Sequence, residues 1–390
     1  MNILLTIHHN LDRNTGAPGV TIKLAEALRA RGHAVRVFSH DDVKGVRGRF
    51  REILFPWFVL GHAIAHPEYD VLDMSEGDGW ITNFVRRAFS WRRRSLSVTR
   101  SHGMEICAHR VFIEACRAGQ LKKSWIYPFY RGSLRLWQCK KSSEWADAVI
   151  VLNDSEREFA VSTLGFDEDR IALIDNGIDD IFVSIAREAL QCAPEKPEAG
   201  VVPVVSLAFI GQAIHRKGID TLAAAATLLS ERNRHVTLTV LGTGQSVEAT
   251  LAFFPSHMHG RVKVIPTFDN AVLPDLLAPC QIFVFPSRFE GFGLAPLEAM
   301  ACGLVPVVSD IAGPRNYIRN GDNGVRVPPG DAAALSAAVQ SLIDQPARWT
   351  ALQRRARETV LDYSWAAIAE RVELLYGRHL SQCASRVLAG

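Results

Sequence analysis

The stretch Phe283-Val-Phe-Pro-Ser-Arg-Phe-Glu-Gly-Phe-Gly-Leu-Ala-Pro-Leu-Glu-Ala-Met-Ala-Cys-Gly303 decides the fold of this chain. An apolar run ends at Pro286, a loop carries Gly291 and Gly293, and a helix opens with Pro296 in its first turn and Glu298 two residues later. Glycines let backbone N–H groups approach an anion closely, and a new helix adds the positive end of its dipole. A phosphate suits that geometry. Glu290 and Glu298 bracket the loop, and because carboxylates only accept hydrogen bonds, the pair suits hydroxyls on either side of a diphosphate, such as a sugar and a ribose. Taken alone, Glu298 reads equally well as an acid favoured at a helix start, and Glu290 as a solvated loop acid.

Outward from this stretch, short apolar runs alternate with helical patterns in both directions, the signature of parallel sheets built from βαβ units. Upstream, Ile3–Ile7, Ala34–Phe38, Val71–Met74, Ser95–Thr99, Val149–Leu152 and Ile171–Ile174 read as strands, Val20–Arg31 as a helix, and Ser155-x-x-Glu158 as a capping box. The pattern lapses after Phe182 into Cys192-Ala-Pro-Glu-Lys-Pro-Glu-Ala-Gly200 and restarts at Val204. The chain therefore divides into an N-terminal Rossmann-like domain (1–182), a linker (183–203), a C-terminal domain (204–364) and a helix (365–390) that crosses back toward the N-terminal domain. Trp365, Ile368, Val372, Leu375 and Tyr376 share one face of that helix, so it packs against the body. Two doubly wound halves imply two Rossmann-like domains facing across a cleft, with ligands beyond the carboxyl ends of their strands.

With the fold comes a resemblance. Glu290-x7-Glu298 inside Pro-Ser-x-Phe-Glu-Gly-Phe-Gly-Leu-x-x-Leu-Glu-Ala-Met-Ala-x-Gly resembles the signature of family 4 retaining glycosyltransferases of the GT-B fold, bacterial surface-glycan type. The resemblance implies that Glu290 contacts the hydroxyls of the donor sugar and Glu298 the ribose of a sugar nucleotide, with Gly291, Phe292, Gly293 and Leu294 forming the loop on the donor. Phe209-Ile-Gly211 followed by Arg216-Lys217 is similar to the family's diphosphate clamp: a strand ends at Gly211, and two adjacent cations precede a helix. Thr15-Gly16-Ala-Pro-Gly-Val20 resembles the family's first glycine loop, with the usual glycine pair replaced by Thr15-Gly16. Ser101-His102-Gly103-Met104 follows a strand, and a family histidine at this place lies beside the donor sugar and the reaction centre. The implied catalytic set is His102, Glu290, Arg216 and Lys217.

Metal and cofactor are not expected. Asp167-Glu-Asp169 satisfies a D-x-D pattern but sits in a loop before a strand, His8 and His9 point to opposite sides if extended, and two cations already serve the phosphates. The seven cysteines are odd in number, widely spread and contain no C-x-x-C pair, which disfavours a disulfide framework and a structural zinc site and suits a reducing cytosol. The run Ile53–Leu60 is broken by Pro56 and stops at Gly61, well short of the roughly 20 apolar residues that span a bilayer.

Charge gives the remaining clue. The whole chain carries +3, but Asn83–Lys141 holds 14 Lys and Arg against Glu105 and Glu114, a local +12 that leaves −9 elsewhere. Trp91, Arg92, Arg93 and Arg94 lie in this segment, interleaved with further aromatics, the mixture of a surface that meets anionic lipid or a polyanionic acceptor. A solvated face with scattered core aromatics is the plainer reading. The expected protein is a cytoplasmic, metal-independent, retaining glycosyltransferase, peripheral at the inner face of the membrane, taking a nucleotide-sugar donor and a lipid-linked or lipopolysaccharide-type glycan acceptor. A GT-B epimerase or phosphorylase, a non-catalytic sugar-nucleotide binder and, more remotely, a nucleic-acid-binding protein are the alternatives; no nucleic-acid module is recognisable.

Overall fold

Ile3, Leu4, Leu5 and Ile7 are all buried in β1 (Asn2–Ile7), the pattern of a strand covered on both faces. The computed structural model describes residues 1–46, 48–89, 91, 95–192, 205–232 and 236–388. These form two compact units, one of residues 1–177 with 365–390 and one of residues 178–364.

In the first unit, β1 pairs in parallel with β2 (Ala34–Ser39) on one side and β3 (Val71–Ser75) on the other. Then follow β4 (Leu96–Arg100), β5 (Ala148–Val151) and β6 (Ile171–Leu173), giving the order β2-β1-β3-β4-β5-β6. Its helices are α1 (Gly16–Ala30), α2 (Arg49–Ala65), α3 (Trp80–Ala88), α4 (Glu105–Arg117), α5 (Leu134–Trp145) and α6 (Asp154–Ser162). The strand order reverses between β1 and β3. An open parallel sheet leaves a crevice beyond its carboxyl ends at such a reversal, because consecutive crossovers leave in opposite directions.

The second unit opens with α7 (Asp180–Gln191) and holds β7 (Val205–Ile210), α8 (Ile219–Arg232), β8 (Val236–Leu241), α9 (Val247–Leu251), β9 (Val262–Ile265), α10 (Leu273–Leu277) and β10 (Ile282–Phe285). It continues through α11 (Leu294–Ala301), β11 (Val305–Ser309), α12 (Ala312–Arg315), β12 (Val325–Val327), α13 (Ala332–Asp344) and α14 (Pro346–Val360). The order β12-β11-β10-β7-β8-β9, with every pairing parallel, is the Rossmann order with its reversal between β7 and β10. Its core interleaves Leu207, Phe209, Leu238 and Val240 of the sheet with Leu222, Ala226 and Leu229 of α8.

α15 (Trp365–Leu388) returns to the first unit, burying Trp365, Ile368, Val372 and Tyr376 and packing on α1 and β4. The Tyr376 hydroxyl donates to the buried Asp73 carboxylate, which also accepts from Arg100 Nε at 3.1 Å.

Several local expectations shift. Residues 178–191, divided above between the first domain and the linker, are the bridge at Ile178 and helix α7 of the second unit, and residues 193–203 lie outside the described part of the chain. Helix α1 starts at Gly16, so the glycine-loop residues form its first turn. Asn153 caps α6 through the backbone N–H of Glu156, in place of a box at Ser155. Helix α2 runs through Pro56 and Gly61, because Phe55, Val59 and Ala63 recur at four-residue spacing and bury one face. Among the described residues, no helix is long and apolar enough to cross a membrane.

Candidate functional site

Gly218 is the reason the ends of β7 and β10 meet. Its φ of +73° is left-handed, and a Cβ there would fall 2.1 Å from the carbonyl oxygen of Pro286, so only glycine lets the two loops touch. The contact is reinforced by the backbone N–H of Arg288 donating to Arg216 O at 2.8 Å. The Arg288 guanidinium grips both Asp220 oxygens at 2.7 Å and also donates to His215 O.

This zipper delivers the predicted side chains to one place. Lys217 Nζ donates to Glu290 Oε1 at 2.7 Å, and Arg216 Nη1 lies 3.6 Å from Oε2 and 3.3 Å from Phe289 O. Glu290 is buried, Lys217 is half-buried, and Arg216 is exposed. Gly211 has φ +153°, and the Lys217 stem passes it at van der Waals distance. Gly293 has φ +84° and caps α11 without any side-chain bond, while its carbonyl accepts from the Tyr317 hydroxyl. The first turn of α11, beginning at Leu294, thus presents backbone N–H groups at the end of β10. Glu298 is buried one turn further along that helix, while Gly291 is buried in the loop. The ring of Phe292 packs against Tyr317 and Tyr363 at 5.3 and 6.1 Å, so Phe292 can offer a ligand only its backbone.

The first unit places His102 at the carboxyl end of β4. Ser75 Oγ donates to Thr6 O at 2.7 Å, so the 3.0 Å contact between Ser75 Oγ and His102 Nε2 requires a proton on Nε2. Burial, then the charge of Arg100, lowers His102 to about 3. His102 is therefore neutral near pH 7, with Nδ1 as the acceptor. Gly16 opens α1 with nothing within 4 Å of where a Cβ would be, whereas a Cβ on nearby Gly19 would strike Arg13 O at 2.6 Å. The glycine at 16 is not required by packing.

The expected basic surface is only partly a surface. Of its cations, Arg86, Arg100 and Arg135 are buried and paired with Asp147, Asp73 and Glu105. Trp91 is partly buried against the core around Phe38 and Phe55, and Arg92, Arg93 and Arg94 lie outside the described residues. What charge counting missed is a polar cluster at the β1–β3 reversal, made by His8, Glu76, Asp78, Glu105 and Arg135. These residues are scattered in sequence, and only the strand order brings them together. Among the described residues no group of His, Cys, Asp or Glu is arranged to hold a metal.

Two family models divide the chain as the units do. Residues 15–181 match the model described as Glycosyltransferase Family 4, and residues 205–345 match Glycosyl transferases group 1. Each half of the chain thus matches a glycosyltransferase family model. Glycogen synthase of Mycobacterium tuberculosis is 31% identical over 236 residues, 59% of this chain and 54% of that one. The N,N'-diacetylbacillosaminyl-diphospho-undecaprenol alpha-1,3-N-acetylgalactosaminyltransferase of Campylobacter jejuni is 30% identical over 243 residues, 61% of this chain and 62% of that one. The chain thus spans a little over half the length of the curated relatives it matches. The sucrose-phosphate synthase from Thermosynechococcus elongatus superposes over 98% of this chain and 99% of its own, with a TM-score of 0.72 at 23% identity, which establishes the GT-B fold.

Proposed function

We propose that this protein is a retaining, metal-independent glycosyltransferase moving a sugar from a nucleoside diphosphate sugar to an acceptor hydroxyl on a lipid-linked or surface-polysaccharide precursor. The observation that carries this reading is the Lys217–Glu290 pair at the β7–β10 reversal, flanked by Arg216 and the uncapped start of α11. Cations, backbone donors and a carboxylate in one place are what a diphosphate with an attached sugar needs. Arg216, Lys217 and the α11 N–H groups hold the diphosphate, Glu290 accepts from sugar hydroxyls, and Glu298 accepts from the ribose. As the bond from the anomeric carbon to phosphate oxygen breaks, Arg216 and Lys217 stabilise the charge on the leaving nucleoside diphosphate, which is the service a divalent ion performs elsewhere. The acceptor oxygen bonds to the same face of the sugar, and its proton passes to the leaving phosphate oxygen.

The acceptor reading is supported by the name of the Campylobacter relative and by an aromatic ridge on the first unit. Phe50, Leu54, Trp57 and Phe58 form an exposed stripe on α2, and Trp57 begins an edge-to-face chain through Trp80 and Trp137 to Trp145. Arg87, Lys122, Lys123 and Lys140 are exposed on the same unit. We read this ridge as a contact for an anionic bilayer at the cytoplasmic face, where aromatic rings seat at the headgroup level and cations meet phosphate.

The test is nuclear magnetic resonance of the reaction with the nucleotide sugar that binds: the glycosidic product keeps the donor's anomeric configuration. Inversion sinks the retaining mechanism, conversion of the donor to a different sugar nucleotide without an acceptor indicates an epimerase, and binding without turnover indicates a sensor.

A further inference from the structure

We infer that the first unit recognises the acceptor through the carboxylate of Glu105, held by the buried guanidinium of Arg135, and that the moiety taken there is an uncharged, hydroxyl-bearing sugar. This deepens the reading above and rests on it.

The cluster stands at the strand reversal of its own sheet, beyond the carboxyl ends of β1 and β3, where an open parallel sheet binds ligands. Arg135 reaches it from α5 and is 1% exposed. Its Nε and Nη2 donate to Glu105 Oε1 at 2.9 and 2.8 Å, and Nη2 also donates to Glu76 O at 2.8 Å. Gly77 is the seat of the guanidinium: its φ is +85°, and a Cβ would lie 2.6 Å from Nη1. Glu105 opens α4, and its own N–H donates to Glu76 Oε2 at 2.9 Å. Both Arg135 bonds fall on Oε1, so Oε2 keeps its acceptor capacity, and the side chain is 36% exposed. A rigid, fully buried arginine spent on orienting one partly exposed carboxylate is an arrangement that serves recognition.

A second observation points to a ligand. Arg135 Nη1 is buried without a hydrogen bond, 3.9 Å from Asp78 Oδ1. Asp78 has its partners: Oδ2 accepts from the Thr6 hydroxyl at 3.0 Å, and the half-buried His8 ring, whose Nε2 accepts from Arg135 Nη2 at 3.0 Å, lies against Oδ1 with Nδ1 at 2.8 Å. A hydroxyl that reaches Nη1 beside His8 accepts from it, satisfying a group whose isolation is costly.

The chemistry of these groups selects the ligand class. The Arg135 charge is matched by Glu105, so what faces a ligand is an acceptor atom, Glu105 Oε2. Hydroxyls donate to it, whereas a phosphate meets a carboxylate. The competing feature is Arg131, exposed and only 3.8 Å from Glu52, close enough for its charge to act on His8.

The experiment follows nucleotide release from the nucleotide sugar that UDP, GDP, ADP and CMP thermal-shift screening selects, with methyl α-D-glucopyranoside, its 6-phosphate or water as acceptor. We expect the neutral glycoside to accelerate release. Glu105→Gln should raise the KM for the glycoside on the order of 10-fold or more, the loss when a charge-assisted bond becomes neutral, with the nucleotide-induced thermal shift unchanged. Gly77→Ala, which displaces the guanidinium, should raise the same KM, and Arg131→Ala should not. The inference is overturned if only the phosphorylated glycoside accelerates release, if neither does, if Arg131→Ala and not Glu105→Gln controls the KM, or if Glu105→Gln behaves as wild type. Failure of every nucleotide to shift the melting temperature is a separate result, and overturns the donor reading on which this one stands.

Discussion

Lys217 Nζ and Glu290 Oε1, 73 positions apart in sequence, are 2.7 Å apart in the folded chain, joining the ends of the two strands that flank the sheet reversal of the second unit. A cation paired with a buried carboxylate is held in one rotamer before any donor arrives, which lowers the entropy lost on binding. Under the proposed function the same pair couples phosphate recognition to sugar recognition, since a donor diphosphate would compete with Glu290 for the ammonium and free carboxylate oxygen for hydroxyls.

Substitution at the two residues should therefore separate two functions. Lys217→Ala should weaken nucleoside diphosphate binding by roughly 10- to 100-fold, the range for one charge-assisted hydrogen bond. Glu290→Gln should leave nucleotide affinity within a few-fold and reduce sugar transfer much more. Calorimetric titration with the nucleotide, beside turnover, checks both; equal losses in the two assays would contradict the division.

Gly218→Ala should destabilise the second unit by at least about 2 kcal/mol, through left-handed strain together with a clash against the Pro286 carbonyl that no rotamer relieves. Urea unfolding followed by circular dichroism measures it. A neutral result would show that the β7 and β10 loops are not locked together.

His102 should stay neutral throughout the working range. A histidine whose folded value lies below its unfolded one contributes stability that is intact above about 6.5 and is lost as pH falls toward about 3. Nitrogen-15 resonance of the ring should show the Nε2–H tautomer at pH 5 to 8, and a midpoint near 6.5 would contradict the buried arrangement. Glu76 acts with the opposite sign: burial, then the Glu105 charge, raises it to about 8, so its contribution is present at low pH and lost as pH rises from about 4.5 through 8. Glu76→Gln should flatten that alkaline decline in melting temperature.

Tyr376→Phe should cost about 1.5–3 kcal/mol, the value of a hydrogen bond to a buried charge, and Asp73→Asn more, because it leaves Arg100 buried without its ion partner. Thermal melting reads both, and limited proteolysis should show α15 released first.

The aromatic ridge predicts sedimentation with anionic liposomes that falls when Phe50 and Trp57 are replaced by serine, and again when Arg92, Arg93 and Arg94 are neutralised. Equal sedimentation with neutral liposomes would contradict it.

The architecture was legible because it is written in local periodicity: apolar runs at Ile3, Val205 and Ile282 are long enough to be strands, and the spacing of Gly291, Gly293 and Glu298 belongs to one loop and helix. The grouping of Arg216, Lys217 and Glu290 at the β7–β10 reversal was legible for the same reason, since each motif is contiguous. The cluster at the β1–β3 reversal was not, because Thr6, Asp78, Glu105 and Arg135 become neighbours only through strand order. Charge counting over Asn83–Lys141 overstated the surface, because it cannot separate Arg135, folded into the interior, from Lys140 five residues along, which stays in water. Pro56 misled in the other direction: it ended a run in the sequence that the buried face of α2 carries through.

The most direct test of the central claim is the thermal shift of the full chain with UDP-, GDP-, ADP- and CMP-sugars, run beside Lys217→Ala and Glu298→Ala. At least one nucleotide sugar should raise the melting temperature of the wild-type protein by several degrees at concentrations well above its Kd. Both variants, folded to the same baseline, should lose most of that rise. A wild-type protein that none of the four stabilises, or one whose stabilisation survives both substitutions, would contradict it.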